Sequence, residues 1–192
     1  VASAVIALAI ACGIVQGRLA PAPTDAAALE WLDEPRPTGD FLLQSQGGAF
    51  TAADLHGRWQ FLVLGFTHCP DLCPTTLSQL AQLRAALPGI RPRIVFVSVD
   101  PVRDTPHRVA GYVRYFGEET LGVTGSDAQL RRLAGAFGMN FRREGAAAAP
   151  IISHSPTIAL IGPDGALRGR LRPGFNTQQA ARDIAAHIGA SS

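Results

Sequence analysis

The chain has 192 residues, 47% of them hydrophobic and 17% charged, with a formal net charge of +2. That length and apolar share suit one domain with a full core and exclude a disordered chain. Three cysteines exclude a disulfide-dense scaffold, the near-neutral charge without a basic run excludes nucleic acid as an electrostatic partner, and the 17 basic residues, all arginine, exclude a Walker A or Schiff-base lysine.

Residues 1–17 read VASAVIALAIACGIVQG, without a charge. As a helix rising ~1.5 Å per residue they would reach about 25 Å, slightly short of a ~30 Å hydrocarbon core, and a few preceding residues would complete the span. A membrane anchor is the expectation. A secretory signal is the second reading; a loose lipobox around Cys12 and a buried core helix are the others. Residues 18–37 hold Pro21, Pro23, Pro35 and Pro37 around a short helical stretch at 25–33, and read as a semi-rigid linker. The folded domain is expected over 38–192.

Within it the hydrophobic period alternates. Residues 59–66 (WQFLVLGF) form an apolar run fit for a central buried strand. Residues 74–87 are helical, with Leu77, Leu80, Leu83 and Leu87 on one face. Residues 94–99 are a second buried strand. Residues 105–116 are helical, with Asp104 as N-cap and Pro106 in the first turn. A short strand at 121–124 precedes a helix at 127–137 capped by Ser126. Residues 157–161 and 166–171 flank Gly162-Pro163-Asp164-Gly165 as a hairpin, and 176–188 close the chain as a helix. This order predicts an α/β fold, a central mixed sheet flanked by helices in a thioredoxin-like layout.

Residues 66–74 (FTHCPDLCP) lie where a buried strand gives way to a helix. Helix N-termini present free N–H groups and a partial positive charge, which favour thiolate over thiol. Cys69 and Cys73 are four apart, so a helical turn between them puts both sulfurs on one side. Two soft thiolates suit Cu(I), Zn or a reversible disulfide; the plain alternative is two small buried hydrophobes. A transition metal needs a further ligand. His56, His107 and His187 read as surface residues, and the His68 side chain points away from that of its neighbour Cys69. His154 precedes Ser155-Pro156 on a loop entering the sheet, which a thioredoxin-like layout turns toward the cysteine helix. It reads equally as a ligand or as an ordinary loop histidine. Asp100 ends a central strand, where α/β sheets place their sites, and reads as a residue behind the ligands or facing a partner; Arg103 reads as a solvated charge.

Three segments, FTHCPDLCP at 66–74, VSVDPVRDTP at 97–106 and ISHS at 152–155, resemble in order the Sco/SenC copper chaperones. The resemblance covers roughly residues 38–188. It implies a thioredoxin-like fold, a membrane anchor, and copper held by two cysteines and a histidine, here Cys69, Cys73 and His154. It further implies assembly of the copper A centre of cytochrome c oxidase, with that oxidase subunit as partner, and a monomer at the bacterial inner membrane facing the periplasm. One position departs: the family usually has Asp before the histidine, where this chain has Ser153, removing a carboxylate that could orient the imidazole. A second reading is a thiol–disulfide oxidoreductase with Cys69 and Cys73 as redox pair, because Ser155-Pro156-Thr157 resembles the cis-proline segment of thioredoxin-like reductases. Against it, those enzymes place two residues between the cysteines, not three. A peroxiredoxin-like peroxidase and a copper or redox sensor are the remaining readings.

Overall fold

The computed structural model describes residues 28–146 and 149–190. The segment read as an anchor, 1–17, and most of the segment read as a linker lie outside the described residues.

The strands are β1 (Leu29–Arg36), β2 (Leu42–Ser45), β3 (Gly48–Thr51), β4 (Gln60–Gly65), β5 (Arg93–Ser98), β6 (Thr120–Thr124), β7 (Phe141–Glu144), β8 (Ile151–His154), β9 (Ile158–Ile161) and β10 (Leu167–Leu171). The helices are α1 (Leu72–Ala85), α2 (Pro106–Val113), α3 (Asp127–Ala136) and α4 (Thr177–Ala190). One sheet runs in the order β1-β10-β9-β4-β5-β6-β2-β3; β7 and β8 form a separate ribbon. β4, β5 and β6 are mutually parallel, whereas β9 joins β4 antiparallel and β2 joins β6 antiparallel. The sheet is therefore mixed, with helices on both faces, as the sequence predicts.

Strand alternation explains the two-sided core. Phe61, Val63, Ile94 and Phe96 point to one face, where α1, α2 and α4 contribute Leu77, Leu80, Leu83, Val109, Val113 and Ile184. Leu62, Leu64, Val95 and Val97 point to the other, against Leu130, Leu133 and Phe137 from α3 and its end. All of these except Val63 are at most 2% exposed, and each buried Leu or Phe contributes about 1.5–3 kcal/mol relative to an exposed one.

Three local expectations change. Residues 29–36, read as part of the linker with a short helix, form β1, which pairs antiparallel with β10. The edge strand tolerates Pro35 because the ladder with β10 is interrupted between Trp31 and Arg36, where no N–H donor is needed. Asp104 is not the N-cap of α2: Thr105 is, its hydroxyl accepting from the Arg108 N–H. His154 lies at the end of a strand, not in a loop, because 141–144 and 151–154 pair as the β7–β8 ribbon.

Candidate metal centre

β4 ends at Gly65, and the chain turns through 66–71 into α1. A Cβ at Gly65 would lie 2.4 Å from the Phe96 ring and 3.1 Å from Cys73 Sγ. The missing side chain is what lets the strand end, the Phe96 ring and the second cysteine pack together. Asp71 stands at the N-cap of α1 but makes no side-chain capping bond. Instead the Cys73 N–H points at Cys69 Sγ, 3.4 Å away. The first cysteine thus caps the helix that carries the second, at the end where the macrodipole favours negative charge.

Cys73 is 4% exposed, Cys69 is half-buried, and both are free thiols. Burial pushes the Cys73 thiol up to about 12, with the hydrogen bond to Cys69 acting in the same direction. His154 approaches from the ribbon, its Nε2 3.9 Å from Cys73 Sγ. Its Nδ1 lies 3.0 Å from the Ser155 carbonyl. A carbonyl only accepts, so Nδ1 carries the proton and Nε2 offers a bare lone pair toward the sulfur. The Phe66 ring stands edge-on to the imidazole at 6.2 Å. Ser153 is exposed and pairs across the ribbon with Arg142, so the orienting task expected of a neighbouring carboxylate falls to the Ser155 carbonyl. Leu72, Cys73, Phe96, His154, Pro156 and Pro173 line a small apolar cavity here. The peptide bond before Pro156 is trans, unlike the cis-proline segment that the sequence suggested.

The structure therefore brings Cys73 and His154 into contact and sets Cys69 against the Cys73 amide. The three donors do not fall within 4.8 Å of one another; among the described residues only His68, Asp100 and Asp104 do so as a trio. As expected, His56 and His107 are exposed. His187 is exposed too, but stacks on Trp31 at 3.6 Å, joining α4 to the edge strand.

Sequence reasoning missed the hub at Asp104. This carboxylate is 0% exposed. It accepts from the Thr67 N–H at 2.8 Å, the Thr67 hydroxyl at 2.5 Å and the Ser98 hydroxyl at 2.5 Å. It thereby ties the loop before Cys69 to the end of β5. Asp100, also 0% exposed, pairs with Arg103, which is drawn in from solvent and not a free surface charge. The available signal was hydroxyls at Thr67 and Ser98 beside strand ends, which need a buried acceptor if they face inward.

A family model described as SCO1/SenC matches residues 32–189. A protein of Stutzerimonas stutzeri named for copper binding is 41% identical over 138 residues, covering 68% of this chain and 66% of its own length. The mitochondrial protein SCO2 homolog of Bos taurus is 35% identical over 164 residues, covering 79% of this chain and 60% of its own. The chain thus spans about three fifths to two thirds of these relatives. The crystal structure of Arabidopsis thaliana ScoI with copper bound matches with a TM-score of 0.74 and 29% identity, covering 80% of this chain and 98% of that one.

Proposed function

The chain belongs to the SCO1/SenC family, whose members are copper-binding proteins of cytochrome c oxidase assembly, and from that premise we propose that it is a metallochaperone delivering copper to the copper A centre of the oxidase. The observation that supports this reading is the meeting of Cys73 Sγ and His154 Nε2 at 3.9 Å, with the imidazole tautomer set for coordination and Cys69 Sγ at the adjacent helix start. Cys69, Cys73 and His154 would hold the cargo. Two thiols and one imidazole make a soft donor set that fits Cu(I). Binding exchanges the Cys69 bond to the Cys73 amide for the metal and expels the proton that burial holds on Cys73, so it should weaken in acid. Three protein ligands leave room for an incoming thiol from the acceptor subunit.

On this reading residues 1–17 anchor the chain in the bacterial inner membrane, and the domain works as a monomer facing the periplasm, where the oxidase site is reached. Among the described residues no helix is long and apolar enough to cross a membrane. Release by carbonate washing, or protection from external protease in spheroplasts, would contradict this placement.

The second reading, a thiol–disulfide oxidoreductase acting on the oxidase cysteines, is favoured by one observation: a half-buried thiol beside a buried one, both free. Two measurements separate them. Reduced protein is loaded with Cu(I), and metal per chain is counted in wild type and in His154→Ala; one copper per wild-type chain and weaker retention in the variant are expected. Metal-free reduced protein is then mixed with an oxidised copper-site peptide and free thiols are counted. Rapid catalytic reduction, with no copper passing from the loaded form, replaces the first reading with the second.

A further inference from the structure

Beside the cysteine loop, His68, Asp100 and Asp104 each present one donor atom, and the three atoms lie within 4.8 Å of one another. They come from two segments: His68 from the turn into α1, and Asp100 and Asp104 from the loop between β5 and α2. Both carboxylates are 0% exposed. A carboxylate has about four acceptor sites. Asp104 uses three of them on Thr67 and Ser98, and His68 Nδ1 stands 3.7 Å from its Oδ1. Asp100 gives Oδ2 to Arg103, while its Oδ1 is buried without a partner. Asp100 Oδ1 is thus a buried polar atom with no donor facing it, which is costly unless something else fills that role. His68 lies on the solvent side and leaves an entry path.

We infer that His68, Asp100 and Asp104 form a second metal site, for a divalent first-row ion such as Zn2+ or Cu2+, distinct from the thiolate centre. One imidazole and two carboxylates are borderline and hard donors, which select divalent ions over Cu(I). Arg103 fixes Asp100 from its other oxygen, and Thr67 and Ser98 fix Asp104, so the donors are held before any ion arrives. Two neighbouring sites then sort ions by softness. The inference rests on the carboxylate cluster and not on the copper reading.

The test uses the full chain carrying Cys69→Ser and Cys73→Ser, which silences the thiolate centre. Zn2+ is titrated by calorimetry, and one ion per chain is expected. Adding His68→Gln, or separately Asp100→Asn, should weaken binding at least about tenfold. His68 is exposed, so its replacement reports on the site without disturbing the core. The same chain loaded with Cu2+ should show a single-nitrogen coupling by electron paramagnetic resonance that disappears with His68→Gln. No Zn2+ binding in the parent, or binding left unchanged by both substitutions, overturns the inference. Failure of wild type to hold Cu(I), with Zn2+ binding intact, removes the chaperone reading alone.

Discussion

The cysteine half of the centre and the histidine half are held by different means. Cys73 grows out of α1, whose Leu77, Leu80 and Leu83 are each 0% exposed, directly after a strand bonded on both edges by β5 and β9. His154 ends β8, which makes its ladder only to β7, in register Phe141 to His154 and Glu144 to Ile151. Ile151 on that strand is 74% exposed. One half is built into the helix that packs on the central sheet; the other ends a short ribbon joined to the core by Phe141, Ile152 and the Arg143 bond to the Val99 carbonyl, with His154 itself only half-buried. Metal affinity and folding stability should therefore be coupled on the cysteine side and separable on the histidine side.

The strongest way to break this contrast is at the sulfurs. Cys69→Ser or Cys73→Ser should remove tight Cu(I) binding, because a protonated hydroxyl is a hard, poor ligand for that ion. Metal per chain under a competing chelator should fall from one to none, and full occupancy in either variant would sink the assignment. Next comes Asp104→Ala, which orphans donors on Thr67 and Ser98. Each buried donor left unpaired costs about 1–3 kcal/mol, and partial access of water to Thr67 offsets part, so a loss of about 2–4 kcal/mol by urea denaturation is expected. Gly65→Ala forces a methyl into Phe96 and toward Cys73, and should destabilise by about 1–3 kcal/mol with altered reactivity of the Cys73 thiol. Unchanged stability there would mean that the strand end yields easily.

Alkali supplies a milder probe of the same half. Cys73 titrates near 9.0 when unfolded and about 12 when folded, raised first by burial and then by its hydrogen bond with Cys69. The folded chain keeps a proton that the unfolded chain releases, so this contribution is full below pH 9.0 and is lost as pH climbs toward 12. Stability should drop by about 1.4 kcal/mol per pH unit in that window from this group alone, and Cys73→Ala should flatten the slope. The smallest effect belongs to the other half. His154→Ala, at a half-buried position, should move the unfolding free energy by no more than about 1 kcal/mol while weakening copper retention. A shift several times larger would show that the imidazole itself carries part of the ribbon's packing.

What was legible in the sequence follows the same division. The apolar runs at 59–66 and 94–99 and the leucine spacing of α1 declared the buried sheet and its cysteine-bearing helix, because burial on two faces writes itself as composition. β1 was not legible: of LEWLDEPR only Leu29 is buried, and an edge strand with four successive exposed residues looks like a spacer. The ribbon was missed because FRRE and IISH show no clear alternation and are separated by an alanine tract. Asp104 was misread because Asp-Thr-Pro before a helix looks like a cap, and only the arrival of Thr67 from 37 residues away reveals its other use. His154 could be singled out, but its tautomer could not, since that depends on where a main-chain oxygen lies.

That main-chain oxygen has an evolutionary corollary. The acceptor that orients His154 is the Ser155 carbonyl, which every amino acid supplies equally. The side chain at Ser153 can drift without removing it, whereas the Ser155 hydroxyl accepts from the Asn140 N–H and helps hold the backbone in place. The imidazole's orientation is inherited from the path of the backbone, so it is exposed only to changes that redirect that path, such as loss of Pro156.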